Sequence, residues 1–367
     1  MKTLKLKKLI PYLIVVYVTV MMIIFPENSI MYARQAIDIC KEVIIPSLFP
    51  FFICSGLLIY SGLSKTLSQI CKPIMKPLFN VSGCGAAALV LGIISGYPLG
   101  AVTACQLYES GYLSKSETER LLAFCNNSGP LFILGAVGAA IYSGRQFGIV
   151  LYVSHILAAL TVGIIFRFYA PGKHSAPAYE ISQPERSFSE VFSQVLASSL
   201  NSILTVCGAV IFFSVISGII TSQLPVNDIL KAFFSGIMEL TGGTKSISET
   251  TLSLTEKLVM SAFVVGFAGL CVHLQVIAIV SKQGLSLIPY FFGKLLHGTL
   301  AALYTLIYFK IFPPKVSVFM NNAAALDAGF CMGSLYSVIN VLFFTLLAAF
   351  IIFFSASATK SPSSVER

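Results

Sequence analysis

The sequence predicts an all-α polytopic membrane protein, with about seven transmembrane helices and two re-entrant helical hairpins arranged as two inverted repeats. Three observations lead there. First, 56% of the 367 residues are hydrophobic and only 11% charged, with a mean hydropathy of +0.86, whereas a soluble domain is roughly one quarter charged. Second, apolar stretches near the roughly 20 residues needed to span a bilayer fall at 10–25, 43–63, 121–143, 147–169, 199–220, 287–311 and 335–355. Third, other apolar pieces, at 84–110, 229–240 and 258–283, are short or broken by glycine. Irregular backbone at membrane depth must be satisfied by protein or by a water-filled cavity, so such breaks point to a binding site.

In order, residues 1–42 form an N-terminal anchor helix and loop, and 43–169 a first repeat with its hairpin at 84–110. A cytoplasmic linker follows at 170–198, then a second repeat at 199–355 with a hairpin at 229–283, and a tail at 356–367. Lys2, Lys5, Lys7 and Lys8 before the first apolar stretch place the N-terminus in the cytoplasm. No small-x-small cleavage pattern follows Phe25, so the first stretch is an uncleaved anchor. Lys65, Lys72 and Lys76 before 84–110, and Lys115 and Arg120 after it, hold both flanks of that stretch on the cytoplasmic side. It therefore dips in and returns, with its tip at Ser95–Gly100. The linker carries Pro171, Pro177 and Pro184 with few apolar residues.

The second half echoes the first. Leu89-Val90-Leu91-Gly92 with Gly96 is matched by Phe263-Val264-Val265-Gly266 with Gly269, and Asn80-Val81-Ser82-Gly83 by Glu239-Leu240-Thr241-Gly242. Three crossings between the copies (121–143, 147–169 and 199–220) invert the second relative to the first.

Candidate binding residues follow from the breaks. At the first hairpin tip Ser95, Gly96 and Gly100 permit close backbone approach, and exposed N–H groups there suit an anion. Asn126, Asn127 and Ser128 precede Gly129-Pro130 at the start of a half-helix whose positive end points toward them. His273 and Gln275 interrupt an apolar run, and an ionisable group in lipid is usually functional. Lys294 and His297, three apart on one helix face, offer positive charge to an anionic substrate. Glu239 and Thr241 form a coupling site for a cation, or a loop carboxylate and its neighbour.

The net charge of +9 is spread over short loops, which fits membrane topology and excludes nucleic acid as a partner. Nine cysteines without a Cys-x-x-Cys pair and four unclustered histidines give no metal site, and no cofactor is expected. No phosphate-binding loop, zinc-protease helix or Gly-x-Ser-x-Gly elbow is present, so an enzyme is not expected. The partners expected are a small anionic substrate and the lipid bilayer, with a homo-oligomer left open.

GIISGYPLGA, QLYESGYLSKSETERLLAFCNNSGPLFILGAVG and the later GFAGLCVHLQ resemble the sporulation integral membrane proteins of YlbJ type, within the nucleoside-recognition (Gate) group. The likeness runs over 84–141 and, more loosely, 236–300. It implies a membrane protein of an endospore former, in the outer forespore or mother-cell membrane, that moves dipicolinic acid toward the forespore. The Gate group is similar to concentrative nucleoside transporters, in which paired hairpins and broken helices surround the substrate. The acidic and amide nucleoside contacts of those transporters have no residue-by-residue match here, and a planar dianion suits Lys294, His297 and the helix N-termini. A nucleoside transporter and a non-transporting gate or scaffold subunit are the alternatives.

Overall fold

The structure, a computed structural model, describes residues 12, 15–60, 63–170 and 187–314, and every element below belongs to the unit Met1–Pro313. The expected span at 335–355, the tail at 356–367, most of the 170–198 linker and the start of the anchor lie outside the described residues. What is described is helical throughout. Helices α1 (Val15–Ile24) and α2 (Pro26–Ile39) lead through a π-turn, π1 (Cys40–Ile44), into α3 (Ile45–Tyr60) and α4 (Leu63–Phe79). Then come α5 (Gly85–Ser95), α6 (Leu99–Glu109), α7 (Lys115–Cys125), a π-helix π2 (Leu131–Ile141) and α8 (Arg145–Phe166). After the linker follow α9 (Phe188–Gln223), α10 (Asp228–Met238), α11 (Leu240–Ser248), α12 (Leu254–Phe267), α13 (Gly269–Val280) and α14 (Ile288–Ile311).

Among the described residues three helical stretches are long and apolar enough to cross a bilayer: Arg145–Phe166, Phe188–Gln223 and Leu254–Gln283 counted through its kink. Their burial pattern is that of a protein solvated by lipid. On α8 the exposed face carries Ile149, Val153, Leu157 and Ile164, while the buried face carries Ser154, His155 and Gly163. On α14, Ile288, Phe292, Leu295 and Ile307 are exposed, and Lys294, His297 and Thr305 are fully buried. Apolar side chains outward and polar ones inward reverse the pattern of a soluble helix.

Local sequence sets the helix starts. Ser114, Ser187 and Ser253 each form a capping box with a glutamate three residues on, opening α7, α9 and α12. Arg120, buried at 1% exposure, donates to the carbonyls of Asn80, Tyr169 and Ala170 at 2.8 Å each. It thereby ties the end of α4 and the end of α8 to α7. Glu119 accepts from the Ser286 amide at 2.8 Å, and Lys115 donates to the Gly284 carbonyl at 2.8 Å. The loop before α14 therefore sits at the same end of the bundle as the α6–α7 loop. At the opposite end the Tyr142 hydroxyl meets Ser261 at 2.7 Å and the Lys257 carbonyl at 3.1 Å.

These contacts correct the hairpin expected at 229–283, because its two ends lie at opposite ends of the bundle. Inside the bundle the chain reverses at Glu239, where φ −146° and ψ 125° fold α11 back against α10 and bring Gly243 onto Gly236, and it turns again at the bundle end between Ser248 and Leu254. At the kink Ala268 (φ 81°) and Gly269 (φ 71°) both have positive φ, the Ala268 amide still bonds to the Val264 carbonyl at 2.8 Å, and α13 continues away from α12, with His273 edge-on to Phe267 beside the kink. A glycine-flanked break in sequence can be either a reversal or a kink, and only the backbone between the limbs decides. The hairpin is Asp228–Ser248, and Leu254–Val280 is a broken through-helix.

The same order of elements thus occurs twice: a packed hairpin (α5/α6, then α10/α11), a broken helix (α7/π2, then α12/α13), and an unbroken helix (α8, then α14). The matches of Leu89–Gly92 to Phe263–Gly266 and of Asn80–Gly83 to Glu239–Gly242 are corrected with it. The first sets a hairpin arm against a limb of a broken helix, and the second a loop against a hairpin tip.

Candidate functional site

Each hairpin tip lies against the break of the broken helix in its own half. A Cβ added at Gly96 would lie 2.9 Å from the Gly129 amide nitrogen, and one at Gly269 would lie 3.3 Å from the Gly236 carbonyl and the Leu240 nitrogen. Both glycines have positive φ, 83° and 71°. Behind the first tip, any side chain on Gly92 or Gly100 would overlap the Cys125 carbonyl, so this hairpin seats on the last turn of α7 only because both positions lack one.

Between the two tips, the first break and the start of α13 lies a cavity of about 50 Å³. Gly96, Tyr97, Ser128, Gly129, Glu239, Thr241 and Gln275 line it, with Phe132, Val206, Val210 and Cys271 among its apolar wall. The volume holds a few water molecules and is well below the ~300 Å³ at which small-molecule sites begin.

Of the residues expected from sequence, Gly96, Ser128, Gln275, Glu239 and Thr241 line the cavity. The Glu239 carboxylate, 2% exposed, accepts from the amides of Thr241 and Gly242 at 2.7 Å each and so caps α11. Gln275 donates to the Cys271 sulfur at 3.6 Å. The others stand behind the wall. Ser95 and Gly100 are buried in the first hairpin. Asn127 donates to the Phe124 carbonyl at 2.9 Å, closing the end of α7. His273 pairs through Nδ1 with the Tyr290 hydroxyl at 2.9 Å and stands edge-on to Phe267.

Lys294 and His297 meet Asn126 one layer below the cavity floor. Lys294 Nζ donates to the Asn126 carbonyl at 3.0 Å, to His297 Nδ1 at 3.2 Å and to the Tyr97 hydroxyl at 3.4 Å, and it stands 5.1 Å from the centre of the Tyr97 ring. The Tyr97 hydroxyl in turn donates to the Val265 carbonyl at 2.9 Å. His297 Nε2 donates to the His155 carbonyl at 2.9 Å, and His155 Nε2 accepts from the Ser128 amide at 3.1 Å. Both tautomers follow from these partners. The network satisfies two backbone groups freed by the Asn126–Pro130 interruption, the Asn126 carbonyl and the Ser128 amide, and binds α14, α8, α7 and the first tip together.

Two members of this network, Tyr97 and His155, were not among the residues expected from sequence. His155 carried the same signal as His273, an ionisable side chain in an apolar helix. Tyr97 carried none beyond its place between Gly96 and Pro98. Among the described residues no group of three or more His, Cys, Asp and Glu side chains could hold a metal ion.

Residues 42–220 match the Gate family model, described as nucleoside recognition. The chain is 31% identical over 331 residues to the sporulation integral membrane protein YlbJ of Bacillus subtilis (strain 168), covering 80% of this chain and 81% of that protein. No solved structure matches. The Gate match ends before the second hairpin, so the second run of hairpin, broken helix and unbroken helix lies outside it.

Proposed function

We propose a function on the premise that these matches provide: the chain belongs to the family of sporulation integral membrane proteins of the YlbJ type. It is a secondary transporter of a small organic anion, dipicolinate, in the outer forespore or mother-cell membrane of a spore former. The observation that carries this reading is the meeting of two hairpin tips, the first helix break and the opening turns of α13 on one cavity, with the second tip packed on the second break at Gly269. A scaffold subunit has no use for four interruptions at membrane depth, each leaving backbone groups that cost several kcal/mol unless satisfied. A carrier that alternates access needs them, because a tip can leave its break without unwinding a whole helix.

The full architecture follows the same logic. The seven expected crossings, an eighth at Leu254–Val280 and two re-entrant hairpins form inverted repeats within 43–169 and 199–355, with the first hairpin entering from the cytoplasm and the second, now Asp228–Ser248, from the opposite face. Four half-helices, α6, π2, α11 and α13, begin at the cavity and turn their positive ends toward it. Glu239 neutralises one of them by capping α11. Lys294 adds positive potential from beneath the floor, which favours an anion without direct contact.

A nucleoside is the second reading, favoured by the Gate description and by the neutral hydrogen-bonding groups of Ser128, Thr241 and Gln275 in the wall. Purified protein in liposomes separates the readings. Uptake of labelled dipicolinate above protein-free vesicles is expected. Uptake of uridine alone would move the substrate to the nucleoside class, and uptake of neither would leave a gate or scaffold subunit.

A further inference from the structure

Lys294 is fully buried, yet its three N–H groups face three neutral acceptors, the Asn126 carbonyl, His297 Nδ1 and the Tyr97 hydroxyl. The titratable groups around it come from every element packed there. They are His297 and Tyr290 on α14, Cys125 on α7, His155 on α8, His273 on α13 and Tyr97 at the hairpin tip. None is a carboxylate. The nearest compensation for the ammonium is the negative end of α7, at whose last turn the Asn126 carbonyl lies. A cation held by a broken helix's carbonyl end, with no acidic partner, stands where a coupling metal ion would stand in an ion-driven carrier.

We propose that Lys294 is the coupling group of the transport cycle: its proton latches the first hairpin tip shut, and loss of that proton releases the tip. This rests on the transporter reading above. In the latched state the ammonium donates to the Tyr97 hydroxyl and holds the Tyr97 ring face, while Tyr97 donates to the Val265 carbonyl of α12, so one charge joins the first tip to both broken helices. When the ammonium gives its proton to a water molecule that reaches it past Tyr97 from the cavity, an amine and a hydronium ion result. The hydrogen bond to Tyr97 loses its charge assistance, as does the contact with the ring. The bond acts on the tip itself through Tyr97, while the arms behind it stay packed on α7 through Gly92, Gly100 and the apolar core. The cycle is then driven by protons and needs no sodium.

Hydrogen exchange followed by mass spectrometry tests this on the full chain in lipid nanodiscs without substrate, with rates corrected for intrinsic pH dependence. In the parent, protection of 92–101 and 126–130 is expected to fall at least tenfold along a one-proton titration between pH 5 and 10, while α9 stays unchanged. Lys294→Arg, which keeps its charge, is expected to stay protected throughout, and Lys294→Met to stay open throughout. Tyr97→Phe, which leaves Lys294 intact, is expected to lower protection at pH 6 about five- to tenfold. Exchanging potassium for sodium should change nothing. A parent without titration, a titration that survives Lys294→Met but vanishes in His297→Gln, or sodium-dependent protection at constant pH would each overturn the proposal. Because no substrate is present, failure of dipicolinate uptake does not alter this result, and the reverse also holds.

Discussion

The two broken helices face the same cavity and solve the same problem differently. In the first, five residues from Asn126 to Pro130 separate α7 from π2, and side chains from other elements satisfy the freed backbone: Lys294 takes a carbonyl and His155 an amide. In the second, one residue, Ala268, separates α12 from α13, and it and Gly269 both have positive φ; its amide keeps its helical bond, and the backbone of the second hairpin packs against Gly269. The length of an interruption thus decides how many polar groups are orphaned, and so whether buried ionisable side chains are required. The charges are complementary as well. A lysine meets the carbonyl end of α7, and a glutamate meets the amide end of α11.

The hairpins themselves are alike, and the largest effects should show it. Gly92→Ala in the first hairpin and Gly243→Ala in the second each drive a methyl group into backbone, the Cys125 carbonyl and Gly236 respectively. Each should cost about 3 kcal/mol, read as a loss of monodisperse protein and a lowered unfolding midpoint in bicelles. If only one does so, the two hairpins are not built alike. Next comes Gly96→Ala, at φ 83° and ψ −172°, a region almost confined to glycine, with an expected cost of about 2 kcal/mol in the same assay.

Glu239→Ala removes the cap of α11 and should cost about 1 kcal/mol, with Glu239→Gln recovering part of it because one acceptor remains. Equal losses for both substitutions would mean that charge matters more than the hydrogen bonds. The smallest effect has the opposite sign. Ala268→Gly relieves a left-handed alanine and should stabilise by ~0.5–1 kcal/mol. Destabilisation there would show that the Ala268 methyl packs in a way that outweighs the strain.

The sequence made some of this legible because two of its breaks carry dense local chemistry. Six residues from Ser95 to Gly100 with three of them Ser or Gly and one Pro, and five from Asn126 to Pro130, have few interpretations in an apolar chain. The reversal at Glu239 is written by one residue's extended backbone, and nothing in Met238-Glu239-Leu240 separates it from a loop carboxylate. Short apolar echoes misled for the same reason, since Leu, Val and Gly recur in every membrane helix and fix no register. Lys294 and His297 were visible as charges at helical spacing. That they turn toward Asn126, and not directly into the cavity, depends on Gly293 letting α14 press against the Ala123 carbonyl, a contact between residues 170 positions apart.

The most direct measurement of the central claim, two hairpins entering from opposite faces to meet at one cavity, is the sidedness of three reporters. In a background without the native cysteines, single cysteines replace Ser116, Lys282 and Ser253, and an impermeant thiol reagent is applied to each face of oriented vesicles. The account predicts that positions 116 and 282 label only from the cytoplasmic face, and that 253 labels only from the other. Labelling of 282 together with 253 would make Leu254–Val280 a re-entrant element after all and would contradict the paired inverted hairpins on which the transporter reading stands.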